Sequence, residues 1–301
     1  MRIDKVFILG AGAIGSVYGA LLSKKIHVTL VGSKSHVEAI QVGGLQLTGD
    51  MVQRFYLPAE TEINRIPRNS LIVLTTKAYD AAHAITGIKD MLDDSIVIVL
   101  QNGFGNEAMV KALVGERVEV LRGITMMASE FLSPGRIRFW KGETIIEKGK
   151  ASTAIESLFN KCGLETRVSE NIERDIWSKL LLNCVIGPLT TLFQVSNPTI
   201  TSEHLAWIRQ RIVTECLKVA RAEGVEVRTD LDEIDRKILK YTNFSSMCQD
   251  IKRGKRTEID FLNGKIVEIG RKHRILTPVN KTLTCLTKFL EETKNGVRRQ
   301  D

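Results

Sequence analysis

The stretch Lys5-Val-Phe-Ile-Leu-Gly10-Ala-Gly12-Ala-Ile-Gly15-Ser-Val-Tyr-Gly19 decides the fold. Residues 6–9 are an apolar run of branched and aromatic side chains, which predicts a buried strand, and residues 16–24 are predicted to form a helix. Between them, Gly10, Gly12 and Gly15 have the Gly-x-Gly-x-x-Gly spacing of turns that bind the pyrophosphate of a dinucleotide. In such a turn the first glycine permits the tight bend, the second lets the pyrophosphate approach, and the third lets the helix pack closely on the strand.

The context of this turn supports a dinucleotide-binding βαβ unit. Such a unit needs a second strand, and the apolar run His27–Val31 supplies one. The loop Gly10-Ala11-Gly12-Ala13-Ile14-Gly15 then leads into a helix whose first N–H groups can bind phosphate. The alternative is a signal peptide, with a charged start at residues 1–5 before the apolar run. Asp4 and the density of glycine argue against that alternative.

The composition is that of a soluble protein and excludes several functional classes. The chain has 301 residues, enough for two domains, with 43% hydrophobic residues and a formal net charge of +8. Only 6% of the residues are aromatic and the basic residues are dispersed, so nucleic acid is not an expected partner, whereas small anionic ligands suit the positive charge. No apolar run reaches the ~18 residues of a membrane span, because Asn183, Gly187 and Pro188 interrupt the nearest candidate, residues 180–193. We therefore expect no membrane partner.

The cysteines and histidines indicate neither disulfides nor a metal site. The five cysteines are scattered, without a Cys-x-x-Cys pair, which favours reduced thiols in a cytoplasmic protein. The five histidines show no ligand spacing such as His-x-x-x-His, so no metal site is predicted. The sequence leaves open whether the protein forms a homodimer.

Strands and helices alternate through the first half of the chain. Further strands are predicted at residues 71–75, 96–100, 118–121 and 164–168, and further helices at 35–42, 79–92 and 151–162. This alternation predicts an α/β fold with a parallel, doubly wound sheet of the Rossmann type. Antiparallel hairpins are predicted from residues 45–48 with 52–57, and from residues 136–140 with 143–147 across Lys141-Gly142.

From about residue 170 onward the periodicity is almost entirely helical. Helices are predicted over residues 172–192, 204–223, 230–241, 246–252, 257–271 and 278–293. We therefore predict a Rossmann domain over residues 1–169 and an all-helical domain over residues 170–301. Ligand sites of such sheets lie at the carboxyl ends of the strands, which would put the chemistry in a cleft between the two domains.

The end of the second strand bears on the choice of cofactor. Sites that prefer NAD place Asp or Glu there, about 20 residues beyond the glycines, to bond the ribose 2′-hydroxyl. Here Ser33 and Lys34 follow Val31-Gly32. A hydroxyl and an ammonium suit a 2′-phosphate, so the predicted cofactor is NADP(H). The alternative is that Lys34 is only an exposed lysine at the start of a helix.

The most specific motif of the helical half is Ile176-Trp-Ser-Lys179-Leu-Leu-Leu-Asn183-Cys-Val-Ile-Gly187-Pro188-Leu-Thr190. It occurs together with Thr76-Lys77-Ala78, Asn102-Gly103-Phe-Gly105, Ser245-Ser246-Met-Cys-Gln-Asp250 and Thr257-Glu258-Ile-Asp260-Phe-Leu-Asn263-Gly264. These motifs resemble those of the ketopantoate reductases (2-dehydropantoate 2-reductases), along essentially the whole chain. The resemblance implies NADPH-dependent reduction of the 2-keto group of ketopantoate to pantoate, on the route to pantothenate and coenzyme A. It also implies a Rossmann domain followed by a helical domain.

The resemblance assigns roles to individual side chains. Lys179 matches the general acid: hydride arriving at a ketone carbon leaves an alkoxide, to which an ammonium offers a positive charge and then a proton. Glu258 matches an acid that helps place the cofactor and the substrate hydroxyl, and we count it as both catalytic and cofactor-binding. Lys179 also belongs to the implied substrate site, with Asn183, Asn197, Asn243 and Ser246. The remaining implied cofactor residues are Lys77, Asn102 and Ser129.

Each matched side chain also has a purely structural interpretation. Lys179 could lie along an amphipathic helix with its amine in water, and Asn183 could be a satisfied core amide. Ser246 could be a helix N-cap, because Ser246-x-x-Gln249 is a capping-box pattern. Glu258 could complement the dipole of a helix that starts after Thr257.

Two features depart from the family's pattern. Gly187 stands where the motif usually has a second asparagine, and Ser33 and Lys34 stand where an arginine is common. Gly187 raises the alternative of an NADPH-dependent reductase that acts on a different 2-oxo acid. A third alternative, a dinucleotide-binding regulator without turnover, is disfavoured because a pure binder has no need of the proton donor Lys179.

Overall fold

The computed structural model describes residues 2–297 and consists of two compact units. The first unit comprises residues up to 101 together with 105–172, and the second comprises residues 102–104 and the chain from 173 onward. The predicted fold class is confirmed: the first unit is a mixed α/β sheet domain and the second is helical. The domain boundary at residue 169 and the cleft stay predictions.

Two sheets form the first unit. In chain order its strands are β1 (Lys5–Leu9), β2 (His27–Val31), β3 (Leu45–Gly49), β4 (Gln53–Phe55), β5 (Ala59–Glu60), β6 (Ser70–Leu74), β7 (Ile96–Val99), β8 (Glu119–Thr125), β9 (Ala128–Ser133), β10 (Arg136–Trp140), β11 (Thr144–Ile146) and β12 (Thr166–Val168). The larger sheet has eight strands in the order β12-β11-β8-β7-β6-β1-β2-β5, and the smaller has four in the order β4-β3-β10-β9. Strands β8 to β5 of the larger sheet are parallel, whereas β11 runs antiparallel to β8.

Strand β1 is buried on both faces, as expected for the centre of a parallel sheet. Val6 and Ile8 join the hydrophobic core on one face, and Phe7 and Leu9 join the core on the other. β1 pairs with β2 on one side and with β6 on the other. A strand paired on both sides does not fit the alternative of a signal peptide for this stretch.

The helices of the first unit are α1 (Ala13–Leu22), α2 (Lys34–Gly43), α3 (Ala81–Thr86), α4 (Asn106–Val114) and α5 (Ser152–Lys161). Helix α1 is buried from Gly15 to Leu22 because it packs against the central strands and also against the four-stranded sheet. Its Tyr18 hydroxyl lies 2.6 Å from the hydroxyl of Thr144, and burial raises the pKa of Tyr18 to about 12.

The first predicted hairpin is confirmed and the second is wrong. β3 and β4 pair antiparallel, as expected for residues 45–57. In contrast, β10 pairs with β3 and β9 in the smaller sheet, while β11 pairs with β8 and β12 in the larger one. The chain changes sheets at Lys141-Gly142, where a Cβ on Gly142 would lie 2.5 Å from the backbone of Met126. The glycine therefore serves a close backbone approach and not a tight hairpin turn.

Three further differences concern local structure. The helix predicted at residues 79–92 is broken into α3 and two short 3₁₀ segments, Ala78–Asp80 and Lys89–Met91, with Gly87 following α3. Strand β9 and helix α4 were not predicted individually. The helix predicted at residues 257–271 is a 3₁₀ turn, Ile259–Phe261, followed by a separate helix, because Leu262 has a non-helical backbone (φ −114°, ψ −102°).

The second unit contains α6 (Ile172–Phe193), α7 (Ala206–Ala222), α8 (Leu231–Leu239), α9 (Ser246–Lys252), α10 (Asn263–Lys272) and α11 (Pro278–Val297). A 3₁₀ helix, Asn197–Thr201, and a 3₁₀ turn, Glu203–Leu205, lie between α6 and α7. Helix α6 is long and apolar enough to cross a membrane by length and composition, but 72% of its most apolar window is buried inside the protein. Core helices of soluble proteins pass the same test.

A buried histidine connects three segments of the first unit. His36 on α2 is fully buried; its Nδ1 accepts a hydrogen bond from the Gly135 N–H at 3.0 Å, and its Nε2 lies 2.9 Å from the Ser16 hydroxyl of α1. Because Nδ1 accepts, the proton of the neutral ring is on Nε2, which donates to Ser16. Burial lowers the pKa of His36 to about 4.

This histidine predicts an acid-sensitive fold. The unfolded chain takes up a proton at His36 near pH 6.5, which the folded chain does not take up until about pH 4. The contribution to stability is therefore complete above pH 6.5, is lost as the pH falls towards 4, and amounts to about 3 kcal/mol. Urea unfolding should show that the free energy of unfolding falls between pH 7 and pH 4.5 in the unmodified protein. The fall should be much smaller in His36→Gln. The exposed His27→Gln variant should behave like the unmodified protein, and an equal loss in all three proteins would contradict the prediction.

Candidate functional site

The turn between β1 and α1 requires glycine at two positions. Gly10 has φ +105°, and a Cβ there would lie 2.4 Å from the backbone nitrogen of Thr76. A Cβ on Gly15 would lie 2.4 Å from the carbonyl oxygen of Gly10 and 2.5 Å from the hydroxyl of Thr75. At Gly12, by contrast, the nearest atom to a Cβ would be 4.0 Å away. The protein itself leaves space at Gly12, which fits the close approach of a ligand.

The start of α1 has the properties of a phosphate site. Gly12 precedes the helix and provides no side-chain cap, and the first turn contains no acidic residue. Gly12 is exposed, and Ala13 and Ile14 are half-buried. The N–H groups of this first turn and the positive end of the helix dipole therefore suit an anion, and the loop fits the pyrophosphate of a dinucleotide.

The end of β2 lies beside this loop. The N–H groups of Gly10 and Ala11 both donate to the carbonyl of Val31, at 3.0 and 2.7 Å. A Cβ on Gly32 would lie 3.0 Å from the Cβ of Ala11. The close approach of these two segments places the residues that follow Gly32 next to the glycine turn.

Ser33 and Lys34 are the residues that follow, and both are exposed. Ser33 precedes α2 without capping it through its side chain. The Lys34 side chain is 84% exposed, with its Nζ 3.9 Å from the carboxylate of Glu38. An exposed ion pair of this kind contributes little to stability, so the structure gives Lys34 no strong structural role and leaves its amine accessible to a phosphate.

The loop after β6 carries Lys77 and is held by residues that the sequence did not single out. Gln101 is 4% exposed, and its amide nitrogen donates to the carbonyl of Thr76 at 2.9 Å, to the hydroxyl of Thr76 at 2.8 Å and to the carbonyl of Lys77 at 3.2 Å. Arg122, buried within β8, donates to the carbonyl of Gln101 at 2.8 Å. The sequence contained two signals for these roles. Gln101 is a polar residue directly after a predicted apolar strand, and Arg122 is a charged residue inside the next strand.

Ser129 lies on β9, opposite Phe139 of β10, and is half-buried. It follows the carboxyl end of β8 by four residues, since that strand ends at Thr125. The first unit thus places the glycine turn, Ser33, Lys34 and Lys77 at the carboxyl edge of the parallel sheet. Ser129 belongs to the neighbouring four-stranded sheet.

In the second unit, Lys179 and Asn183 form a polar pair on an apolar helix. Both are half-buried on α6, and they are one turn apart on the same face. The residues between them, Leu180 to Leu182, are at most 5% exposed, and Cys184 is fully buried. An ammonium and an amide in such surroundings are far more restricted than on an exposed helix surface, as expected of side chains that act on a ligand.

Helix α9 begins against the same helix, one turn beyond Asn183. A Cβ on Gly187 would lie 3.1 Å from the terminal methyl group of Met247, so the thioether fills the space beside this glycine. The hydroxyls of Thr190 on α6 and Ser245 are 2.7 Å apart. The first residues of α9 are thereby held against the α6 turn that follows Asn183.

Ser245, and not Ser246, caps α9. The hydroxyl of Ser245 accepts from the N–H of Cys248 at 3.1 Å. The amide of Gln249 donates to the carbonyl of Phe244 at 2.9 Å, so the alternative interpretation of Ser246 and Gln249 as a capping box is wrong. Ser246 is the exposed first residue of the helix, so a capping role does not account for the serine at this position.

The two remaining asparagines of the predicted substrate site lie together. The N–H of Asn197 donates to the carbonyl of Asn243 at 3.0 Å, and their side-chain amides are 3.4 Å apart. Asn243 also donates to the carbonyl of Phe244, the residue before Ser245. The structure therefore brings Asn197, Asn243 and the start of α9 into one cluster.

A buried arginine, which the sequence did not single out, holds the segment that carries Asn197. Arg209 is 2% exposed and binds both carboxylate oxygens of Asp235, at 2.9 and 2.7 Å. It also donates to the carbonyls of residues 200–202. The bidentate pair connects α7 to α8 and fixes the end of the 3₁₀ helix that Asn197 begins.

Glu258 and Asn102 are attached to the second unit as well. Glu258 is 6% exposed and immediately precedes the 3₁₀ turn that ends at Phe261. The segment of Asn102 packs against this turn, because a Cβ on Gly103 (φ +88°) would lie 2.8 Å from the Cβ of Phe261. The ring of the next residue, Phe104, lies 5.4 Å from that of Trp177, two residues before Lys179 on α6. Asn102 is thus anchored to the elements that carry Glu258 and Lys179.

These two sets of residues differ in chemistry. The first unit offers backbone N–H groups and a lysine for phosphates, and the second offers an ammonium, a carboxylate and neutral amides for a small polar molecule. Within residues 2–297, no group of three or more His, Cys, Asp or Glu could hold a metal ion. The arrangement suits a dinucleotide at the sheet edge and proton transfer by the helical unit.

The family models match both halves of the chain. Residues 6–151 match the model described as "Ketopantoate reductase PanE/ApbA", and residues 171–291 match "Ketopantoate reductase PanE/ApbA C terminal".

Similar proteins match over nearly their whole length. A 2-dehydropantoate 2-reductase of Pyrococcus horikoshii is 37% identical over 303 residues, which cover 97% of this chain and 99% of that protein. Among solved structures, a PanE/ApbA family ketopantoate reductase from Ralstonia eutropha JMP134 has a TM-score of 0.89 and 31% identity, covering 96% of this chain and 99% of its own. The structure of D-mandelate dehydrogenase with NADH and anilino(oxo)acetate has a TM-score of 0.85 and 28% identity. The match covers 97% of this chain and 99% of that one. The chain therefore belongs to the ketopantoate reductase PanE/ApbA family of oxidoreductases.

Proposed function

We propose that this protein reduces 2-dehydropantoate (ketopantoate) to pantoate with NADPH, and that Lys179 is the general acid. The observation that carries the proposal is the pair Lys179 and Asn183, which are half-buried one turn apart on α6, on either side of the buried run Leu180–Leu182. Two relatives named for this reaction, each 37% identical over nearly the whole chain, support the choice of substrate. We place the reaction in the cytoplasm, on the route to pantothenate and coenzyme A.

The helical unit provides the groups that the reduction needs. When bound, NADPH supplies a hydride to the keto carbon. The ammonium of Lys179 stabilises the negative charge that develops on the keto oxygen and then gives it a proton. Asn183 bonds a hydroxyl or carboxylate of the substrate without adding charge, and Ser246 binds the carboxylate. Asn197 and Asn243 hold the remaining polar groups.

The cofactor site combines the glycine turn with side chains around it. The N–H groups at the start of α1 bind the pyrophosphate, and Ser33 and Lys34 bind the 2′-phosphate. Lys77, Asn102 and Ser129 would bond the ribose and phosphate groups near the nicotinamide. Glu258 contributes to the placement of both cofactor and substrate. The partner is a small anionic 2-oxo acid, and we propose no nucleic-acid or membrane partner.

A second candidate function is the reduction of a different 2-oxo acid. The observation that favours it is Gly187, where the methyl group of Met247 occupies the space in which the family motif usually has an asparagine side chain. A thioether at this point offers a substrate hydroxyl no hydrogen-bond donor and only a weak acceptor. One similar structure is a dehydrogenase named for D-mandelate, so this fold accommodates other substrates of the same class.

The proposed function is tested with a panel of 2-oxo acids. NADPH oxidation by the purified protein should be faster with ketopantoate than with pyruvate, 2-oxoisovalerate or phenylglyoxylate, by about tenfold or more in kcat/KM, because polar groups built for a hydroxyl reject analogues that lack it. A higher kcat/KM for one of the other acids would select the second candidate. Binding of NADPH without turnover of any acid would contradict both.

Removal of the general acid should stop the chemistry and leave cofactor binding intact. We expect Lys179→Ala to lower kcat by about 10²–10⁴-fold, since both the proton and the positive charge are lost. The Kd for NADPH, measured by fluorescence, should change by less than about twofold, because Lys179 contributes to turnover and not to uniform binding. Lys218→Ala, an exposed lysine on α7, serves as the matched control and should retain normal kcat. Near-normal turnover by Lys179→Ala would rule out the assigned role.

The preference for NADPH should depend on the residues after β2. Replacement of Ser33 by Asp introduces a carboxylate that repels a 2′-phosphate and bonds a 2′-hydroxyl. We therefore expect the ratio of kcat/KM for NADPH over NADH to fall by about tenfold or more, which corresponds to about 1.4 kcal/mol. Lys34→Ala should raise KM for NADPH and leave KM for NADH unchanged. Lys25→Ala, an exposed lysine before the opposite end of β2, is the control, and an equal effect in Lys25→Ala and Lys34→Ala would contradict the assignment.

A further inference from the structure

Helix α6 contains a proline at an interior position. Pro188 lies sixteen residues after the helix begins at Ile172 and is itself buried. Proline has no backbone N–H, so the carbonyl of Cys184, four residues earlier, has no helical partner. Cys184 is fully buried, and water does not reach this carbonyl from the protein surface. A buried carbonyl in this position needs another donor.

Asn263 provides that donor. Its amide nitrogen donates to the carbonyl oxygen of Cys184 at 3.0 Å, and the residue is fully buried as the first residue of α10. Asn263 belongs to the motif Thr257–Gly264, but no role in cofactor or substrate binding is assigned to it. It follows Glu258 by five residues.

A chain of hydrogen bonds fixes the orientation of this amide. The same nitrogen of Asn263 donates to the side-chain oxygen of Asn280 at 2.9 Å, and the nitrogen of Asn280 donates to the carboxylate of Glu215 at 2.8 Å. Glu215 also accepts the N–H groups of Val279 and Asn280, both at 3.0 Å, at the start of α11. Because a carboxylate accepts, Asn280 must present its nitrogen to Glu215 and its oxygen to Asn263. Asn263 is then left with its nitrogen towards Cys184.

We infer that Asn263 replaces the N–H that Pro188 lacks and is thereby a positioning residue for Lys179 and Asn183. Cys184 directly follows Asn183, so the hydrogen bond holds the helical turn on which the polar pair lies. It also ties that turn to α10, which begins shortly after Glu258. A proline in a helix removes one backbone hydrogen bond and permits a bend. The hydrogen bond from Asn263 fixes the position of the α6 segment before Pro188 relative to the segment after it. The inference rests on the proposed function only for its effect on turnover.

The test is a double-mutant cycle between Asn263 and Pro188. Asn263→Ala leaves the Cys184 carbonyl without a donor, and we expect kcat to fall by about 10–100-fold with little change in the Kd for NADPH, because small displacements of a catalytic group have effects of this size. Pro188→Ala restores an N–H four residues after Cys184. The double variant Pro188→Ala/Asn263→Ala should therefore recover to within about threefold of Pro188→Ala alone, in both kcat and urea midpoint, as expected of two coupled sites.

A proline in a different helical position provides the control. Pro278 is the first residue of α11, where a helix has no use for the N–H, so Pro278→Ala should not rescue Asn263→Ala. Failure of Pro188→Ala to rescue either property would overturn the inference and leave Asn263 as an ordinary core amide. If Pro188→Ala restored the urea midpoint of Asn263→Ala but not its kcat, the positioning role would be overturned, while the replacement of the missing N–H would stand. If the unmodified protein reduced no 2-oxo acid, the proposed function would fail, while the urea cycle would still decide whether Asn263 replaces the missing N–H.

Discussion

No side chain fits between the backbone of Gly10 and that of Thr76, and the carboxyl edge of the parallel sheet is arranged around this contact. A Cβ at Gly10 would lie 2.4 Å from the neighbouring nitrogen, and one at Gly15 would meet the carbonyl of Gly10 at the same distance. The close approach allows the Thr75 hydroxyl to donate to Gly10 and brings the end of β2 beside the turn. The N–H groups that we propose bind the pyrophosphate, and Ser33 and Lys34, are therefore presented on the same edge.

In the second unit the constraint is different, because polar groups have to be buried within and beside the apolar part of helix α6. A buried polar group needs a partner, and other segments supply one for the Cys184 carbonyl, which accepts from Asn263, and for the Thr190 hydroxyl, which bonds Ser245. Arg209 does the same for three consecutive carbonyls near Asn197. Such contacts lock the backbone around Lys179 and Asn183, and preorganisation of this kind is what electrostatic catalysis requires.

Local sequence patterns predicted the structure correctly where all the information lay within one segment. The glycine turn, the buried strands and the long helix α6 were all evident, because period and glycine spacing reflect contacts within the segment or with any apolar partner. The pattern failed where the partner mattered. Residues 136–147 have two strands and a glycine between them, yet β10 and β11 belong to different sheets. The capping-box spacing of Ser246 and Gln249 offered Ser246 as an alternative cap of α9, but the cap is Ser245, whose backbone is non-helical whereas Ser246 is already the first helical residue.

The sequence by itself determined the α/β class, the dinucleotide turn and the family, because glycine spacing and ordered motifs are local properties of the chain. Only the tertiary structure decided which polar residues support the site. Gln101, Arg122, Arg209 and Asn263 each bind a partner that is between 21 and 79 positions away, a separation at which no periodicity or motif spacing connects two residues. Their hydrogen bonds exist because folding removes water from carbonyls and amides that must then find each other, and that pairing depends on the packed arrangement of the whole unit.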